Sequence, residues 1–165
     1  MAKVICPGSF DPVTMGHLDI ITRASTIFDE VIALVGGNPA KNPSFTMQER
    51  AEMLRKCTSH MKNVKVETHN GLLADYIRET GSIAIVKGLR AMSDFEYEFQ
   101  MALTNKKLVP EAETIFLTTT ADNMYLNSSL VKQVAAFGGD ISTFVPKEVL
   151  ADIQLRLCEK YRNNP

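Results

Sequence analysis

A chain of 165 residues with 45% hydrophobic content fits one domain built around a single core of ordinary size. The net charge of −1 and pI near 6.3 argue against a broad nucleic-acid or acidic-membrane surface, while leaving room for a local basic cluster around a phosphate. The three cysteines, Cys6, Cys57 and Cys158, form neither a C-x-x-C pair nor a metal-like His/Cys spacing, so buried, reduced thiols are expected; with no basic leader and no run of about 18 apolar residues, a cytoplasmic protein without a membrane partner is expected too.

Lys3-Val4-Ile5-Cys6 is a short, partly β-branched run that breaks at Pro7-Gly8, and Ile20, Ile21, Ala24, Ile27 and Phe28 then recur at helical spacing. The pattern is strand, tight loop, helix. Such a loop presents free N–H groups and the positive end of a helix dipole, a setting that favours an anion. Thr14 and His17, three apart, face the same way on a helical turn. Val31–Val35 is a continuous apolar run, as in a strand covered on both faces. Thr46-Met47-Gln48-Glu49 is a capping box opening a helix with Met47, Ala51, Met53 and Leu54 inward. Val64–Glu67 alternates as a third strand, and Gly71 opens a short helix that Gly81 closes as a left-handed cap. Ile83–Val86 is the next buried strand, running into Lys87-Gly88-Leu89-Arg90. Ser93-Asp94-Phe95-Glu96 reads as a second capping box, opening a long helix through Tyr97, Phe99, Met101, Ala102 and Leu103, its Tyr and Phe residues expected in the core. Thr114–Thr118 is a fifth strand, and Asn127-Ser128-Ser129 clusters cap residues before a helix closed by Gly138-Gly139. After Ile141–Val145, Pro146 is expected as the first residue of a final helix through Val149, Leu150, Ile153, Leu155 and Leu157.

Strands and helices alternating in this way predict an α/β fold, a doubly wound five-stranded parallel sheet. Ligands bind such sheets at the carboxyl ends of the strands, where strand order reverses. Ser9 and His17, Lys41, Lys87 and Arg90, and Ser128 and Ser129 all fall at that edge. Neither G-x-G-x-x-G nor G-x-x-x-x-G-K-[ST] occurs, so a dinucleotide site or P-loop is unsupported.

Thr14-Met15-Gly16-His17, preceded by Gly8-Ser9-Phe10-Asp11-Pro12, resembles the T/H-x-G-H motif of the nucleotidyltransferase superfamily. With Lys41, Lys87-Gly88-Leu89-Arg90, Asp94-Phe95-Glu96-Tyr97-Glu98 and Ser128-Ser129-Leu130-Val131-Lys132, essentially the whole chain is similar to the phosphopantetheine adenylyltransferase family. The resemblance implies one nucleotidyltransferase domain over residues 1–165, with a Rossmann-like fold and a C-terminal helical extension. It implies transfer of the adenylyl group of ATP to 4′-phosphopantetheine, giving dephospho-coenzyme A and pyrophosphate with magnesium assisting. A homohexamer, and coenzyme A as a feedback ligand, are implied as well.

By the same resemblance, His17 stabilises the α-phosphate and departing pyrophosphate, Ser9 bonds the incoming phosphate, and Lys41 lies between the two phosphate groups. Lys87 holds the acceptor's phosphate, with Leu73 along the pantetheine arm. Arg90, Ser128 and Ser129 take the β and γ phosphates, Glu98 the nucleoside, and Phe10, Gly88 and Leu89 line the nucleotide, together with Asn123, Met124, Tyr125, Leu126 and Asn127. Positioning and charge stabilisation suffice for this chemistry, because the acceptor's own phosphate is the nucleophile. The chain departs from the usual pattern at Lys87 (commonly Arg), Ser9 (Thr), Asn127 (Ser) and Gln133 (Glu). Taken singly, Lys41 and Glu98 also read as solvated charges, Arg90 as a partner of Asp94, and Ser128 and Ser129 as helix caps; His60 and His69 have no motif around them. Transfer to another phosphorylated acceptor and a non-catalytic nucleotide-binding module are the other classes of function.

Overall fold

The structure, a computed structural model, describes residues 2–37, 42–82 and 84–162. Five strands, β1 (Lys3–Gly8), β2 (Glu30–Gly36), β3 (Val64–His69), β4 (Ala84–Leu89) and β5 (Glu113–Thr118), alternate with α1 (Met15–Ile27), α2 (Met47–Thr58), α3 (Leu73–Thr80) and α4 (Met92–Leu108). A 3₁₀ turn (Ala121–Asn123), α5 (Ser128–Ala136) and α6 (Leu150–Arg162) complete the chain. All pairings are parallel, in the order β3-β2-β1-β4-β5. Strand order therefore reverses between β1 and β4. Ile83, expected in the fourth strand, lies outside the described residues.

The pleat of the central strands sorts the core into two layers. Val4 and Cys6 of β1 and Val31, Ala33 and Val35 of β2 pack with Ile20, Ile21, Met53, Leu54, Val131 and Ile153 of α1, α2, α5 and α6. Ile5, Ile32 and Leu34 face the other way, onto Ala74, Tyr76 and Ile77 of α3. Burying one such Leu or Ile removes enough apolar surface from water to contribute about 1.5–3 kcal/mol, which is why β2, with its apolar Val31–Val35 run, sits inside the sheet and not at its edge.

Several expected details hold. Thr46 caps α2 through Glu49 N–H while the Glu49 carboxylate accepts Thr46 N–H, and Gly81 closes α3 at φ 67°. Gly138 N–H and Gly139 N–H donate to the carbonyls of Ala135 and Val134, a Schellman closure of α5.

Other details differ: α3 begins at Leu73, with Leu72 and not Gly71 as its cap. α4 begins at Met92 with Ala91 as its cap and no side-chain cap bond, so Ser93 lies inside the first turn and not before it. Asp94 in that turn complements the helix dipole without a capping hydroxyl. Tyr97, Phe99, Met101 and Leu103 are exposed, Tyr97 by 61%, because α4 carries apolar residues on nearly every side and only part of its surface meets α3, β4 and β5. Pro146 does not start the last helix: its carbonyl accepts Val149 N–H in a preceding turn, and α6 begins at Leu150.

Cys6 and Cys57 are buried, and burial pushes both thiols up to about 12. Cys158 is only half-buried and donates to the Ala135 carbonyl at 3.3 Å. Among the described residues no helix is long and apolar enough to cross a membrane.

Candidate active site

β1 pairs with β2 as far as Gly8↔Val35, but toward the carboxyl ends its ladder with β4 stops at Ile5↔Ile85. Pro7 has no N–H to extend that ladder. The two strands part there, and a cleft of about 360 Å³ opens between Pro7-Gly8-Ser9 on one side and Lys87 on the other. An adjoining cleft of about 880 Å³ runs from Ser9 to Ser128, Ser129 and Lys132 on α5.

The loop after β1 sets the floor of both. Phe10 is buried with φ 48°, a left-handed conformation uncommon outside glycine. Its ring lies edge-on to the His17 ring, centroids 5.0 Å apart. A Cβ on Gly8 would meet that ring at 3.0 Å, so the strand end needs a residue without one. At Gly88 a Cβ would stand 2.9 Å from Ile20, so glycine there lets α1 pack against β4.

α1 starts with a capping box in which His17 plays the part usually taken by Glu or Gln. His17 N–H donates to Thr14 Oγ1 at 3.3 Å, and Thr14 N–H donates to His17 Nδ1 at 3.0 Å. Because a backbone N–H can only donate, Nδ1 must be the ring's acceptor. The neutral ring then carries its proton on Nε2. Burial, with the nearby Lys87 and Arg90 cations, pushes the His17 imidazole down to about 4. At neutral pH it is an uncharged hydrogen-bond donor held in one tautomer.

Lys87 and Arg90, at the end of β4, each meet a carboxylate of α4. Lys87 Nζ lies 3.3 Å from Glu98. Arg90 Nε donates to Asp94 at 3.0 Å while its Nη1 donates to the Leu126 carbonyl at 2.7 Å, fastening the turn region before α5 to the same edge. The Arg90–Asp94 pairing read from the sequence is thus present. Asn127 is the cap of α5, its Oδ1 accepting Leu130 N–H at 2.8 Å, and Ser128 Oγ donates to the Pro12 carbonyl at 2.8 Å. Ser128 and Ser129 are consequently the first helical residues, with their N–H groups at the positive end of the dipole.

Of the residues selected from sequence, Ser9, Leu73, Lys87 and Glu98 line the smaller cleft, and Ser9, Ser128 and Ser129 the larger. His17 and Phe10 meet edge-on behind the first loop, Gly88 and Leu89 end β4, and Arg90 follows it. Asn123 closes the 3₁₀ turn, Met124 and Tyr125 are exposed, and Leu126 is buried. Lys41 lies outside the described residues. His69 contacts the Leu72 carbonyl at 3.0 Å and the Tyr76 ring, a structural position. Among the described residues no group of His, Cys, Asp or Glu side chains converges to hold a metal ion.

Asn105 and Arg50, given no weight from sequence, line the two clefts. Nothing local marks either one: each is a polar residue on a helix, and only the tertiary fold turns it inward.

A family model described as cytidylyltransferase-like matches residues 5–134. Proteins named phosphopantetheine adenylyltransferase match nearly end to end: that of Heliobacterium modesticaldum is 56% identical over 98% of this chain and 94% of its own length. That of Caldanaerobacter subterraneus subsp. tengcongensis is 53% identical over 99% and 100%, and that of Clostridium kluyveri 53% over 99% and 99%. Among solved structures, a bifunctional NMN adenylyltransferase/ADP ribose pyrophosphatase of Francisella tularensis, complexed with AMP and a manganese ion, superposes with a TM-score of 0.71. At 16% identity, over 98% of this chain and 52% of that one, it shares the fold.

Proposed function

This chain belongs to the phosphopantetheine adenylyltransferase family, within the cytidylyltransferase-like nucleotidyltransferases, and we propose on that premise how its two clefts divide the reaction between them. The enzyme transfers the adenylyl group of ATP to 4′-phosphopantetheine, a step of coenzyme A biosynthesis. An oxygen of the acceptor's phosphate attacks the α-phosphorus. One P–O bond forms as the bond to the β-phosphate breaks, its electron pair leaving with pyrophosphate. No covalent intermediate on the protein is needed.

The acceptor's arm lies along the smaller cleft past Leu73, with its phosphate on Lys87 and Ser9. The β and γ phosphates meet Arg90 and the N–H groups of Ser128 and Ser129. Between them the His17 Nε2–H donates to the α-phosphate, a fixed donor aimed at charge that develops in the transition state. Lys41 bridges the two phosphates, Glu98 meets the nucleoside, and Phe10, Gly88, Leu89 and the segment Asn123–Asn127 line the nucleotide. Magnesium arrives with the triphosphate as part of the substrate, and no protein ligand is assigned to it. The exposed apolar surface of α4, Met92, Tyr97, Phe99 and Leu103, supports a homohexameric assembly. Coenzyme A, which shares the acceptor's arm, acts as a feedback ligand, and the protein works in the cytoplasm.

The observation that carries this reading is the convergence of His17, Lys87 and Arg90 on the edge where β1 and β4 part. The test is to mix purified protein, ATP, magnesium and 4′-phosphopantetheine and follow dephospho-coenzyme A by mass spectrometry and pyrophosphate by a coupled assay. Equal amounts of the two products are expected. ATP binding without either product, or turnover only with another phosphorylated acceptor such as nicotinamide mononucleotide, overturns it.

A further inference from the structure

Asp11 is 6% exposed, and both of its carboxylate oxygens are fully engaged. Oδ1 accepts Phe45 N–H at 3.0 Å and Ser44 N–H at 3.1 Å; Oδ2 accepts Ser44 N–H at 2.9 Å and Lys132 Nζ at 2.5 Å. Those donors come from two other elements. Ser44 and Phe45 form the stem leading into α2, and Lys132 stands on α5 one turn beyond Ser128 and Ser129, facing the larger cleft. Arg50, 4% exposed, works from below. Its Nη1 donates to the carbonyls of Ser9 at 2.6 Å and Gly36 at 3.0 Å, and its Nε to Phe45 at 3.2 Å.

We propose that Asp11 is a positioning residue of the transfer reaction, locking the Ser9 loop, the Ser44–Phe45 stem and the first turns of α5 into one register through Lys132. This rests on the reading above, in which Ser9 takes the acceptor's phosphate and the α5 start takes the triphosphate. Asp11 touches neither substrate. It sets the distance between the groups that do. A displacement of about 1 Å between reacting partners costs on the order of 100-fold in rate, so an anchor shared by both sides is expected to act on kcat more than on KM.

Asp11→Asn tests this sharply, because an amide offers one acceptor oxygen and turns its NH₂ toward a group that is itself a donor, either the backbone stem or the Lys132 ammonium. Turnover is measured at a temperature well below the unfolding midpoint, with KM for ATP and for the acceptor determined separately. Expected are a fall in kcat of about 10- to 100-fold, KM values within a few-fold of the original, and a similar but smaller fall for Lys132→Met. Lys132→Arg, which keeps a cation for Asp11, retains most of the activity, and the Asp11→Asn/Lys132→Met pair is no slower than Asp11→Asn alone.

Unchanged kcat in folded Asp11→Asn, whatever its melting temperature, assigns Asp11 a purely structural role and overturns the proposal. So does a rise in KM for ATP with unchanged kcat in Lys132→Met, which would put Lys132 on the triphosphate directly. Where Asp11→Asn does not fold, the Lys132 variants and their kcat against KM split decide alone. Wild-type protein that turns over only another acceptor, or none, refutes the functional reading and is thereby told apart from failure of the positioning role.

Discussion

The neutral, tautomerically fixed His17 yields a prediction that can be measured in the free protein. An unfolded imidazole titrates near 6.5 and the folded one near 4, a gap of about 2.5 pH units; at about 1.36 kcal/mol per unit, the folded state resists protonation by about 3 kcal/mol. Between those values the unfolded chain binds a proton that the folded chain does not. Stability must therefore rise with pH through the window from about 4 to 6.5 and be unaffected by this group above it. Urea unfolding at pH 4.5, 5.5 and 7.5, compared between the native chain and His17→Gln, isolates the contribution: about 2–3 kcal/mol of acid sensitivity is expected to vanish in the variant. Two-bond ¹H–¹⁵N spectra read the ring itself, with the proton on Nε2 and a midpoint near 4. Pyrophosphate, by screening Lys87 and Arg90, is expected to raise that midpoint. A ring that titrates near 6.5, or carries its neutral-form proton on Nδ1, refutes the reasoning.

Acid also acts through Glu49, whose carboxylate accepts hydrogen bonds from Arg156 and from Thr46 N–H that hold it down to about 2; this stability is present above about 4.5 and lost as pH falls toward 2. Both side chains of that pair are roughly 40% exposed, so Glu49→Gln should cost only ~1 kcal/mol at pH 7 and nothing near pH 2, read by urea unfolding. Gly8→Ala drives a methyl into the Phe10 ring and should cost about 1–3 kcal/mol while lowering kcat, since that ring braces His17; a full-activity variant with an unshifted melting temperature contradicts the packing described. Leu54, wholly buried between α2 and the sheet, should cost about 2–5 kcal/mol on replacement by Ala, with kcat of the folded enzyme unchanged. Lys87→Arg trades a point charge for a bidentate fork, and steady-state kinetics should show a severalfold lower KM for the acceptor.

Where information was local, the sequence was enough. The β-branched start of β1 and the helical recurrence of Ile20, Ile21 and Ala24 point to a strand, loop and helix without help from the rest of the chain, although the strand runs through Pro7 and Gly8, paired with Leu34 and Val35 of β2, and does not end at them. The continuous apolar run Val31–Val35 of β2 announces a strand covered on both faces. The limits have equally physical causes. Ser93–Glu96 satisfies a capping pattern, but a first-turn acid paired with Arg90 starts the helix one residue ahead of it. The apolar residues of α4 could not be sorted into core and surface because the helix lacks a single apolar stripe. Asp11 was visible within G-S-F-D-P, yet its partners lie 33 to 121 positions away. Arg50 is buried on carbonyl oxygens, and backbone acceptors leave no mark in a sequence. Lys41, prominent in the family pattern, falls outside the described residues.

Glu98 and Asp94 stand one helical turn apart on α4 and hold Lys87 and Arg90 respectively. A phosphate entering either position exchanges one anionic partner for another and does not meet a bare cation. At rest each of these two cations is paired with a carboxylate, so stray polyanions gain less from long-range attraction to them than to bare charges. Recognition then falls to geometry at contact, and capture of the correct phosphates should depend only weakly on ionic strength.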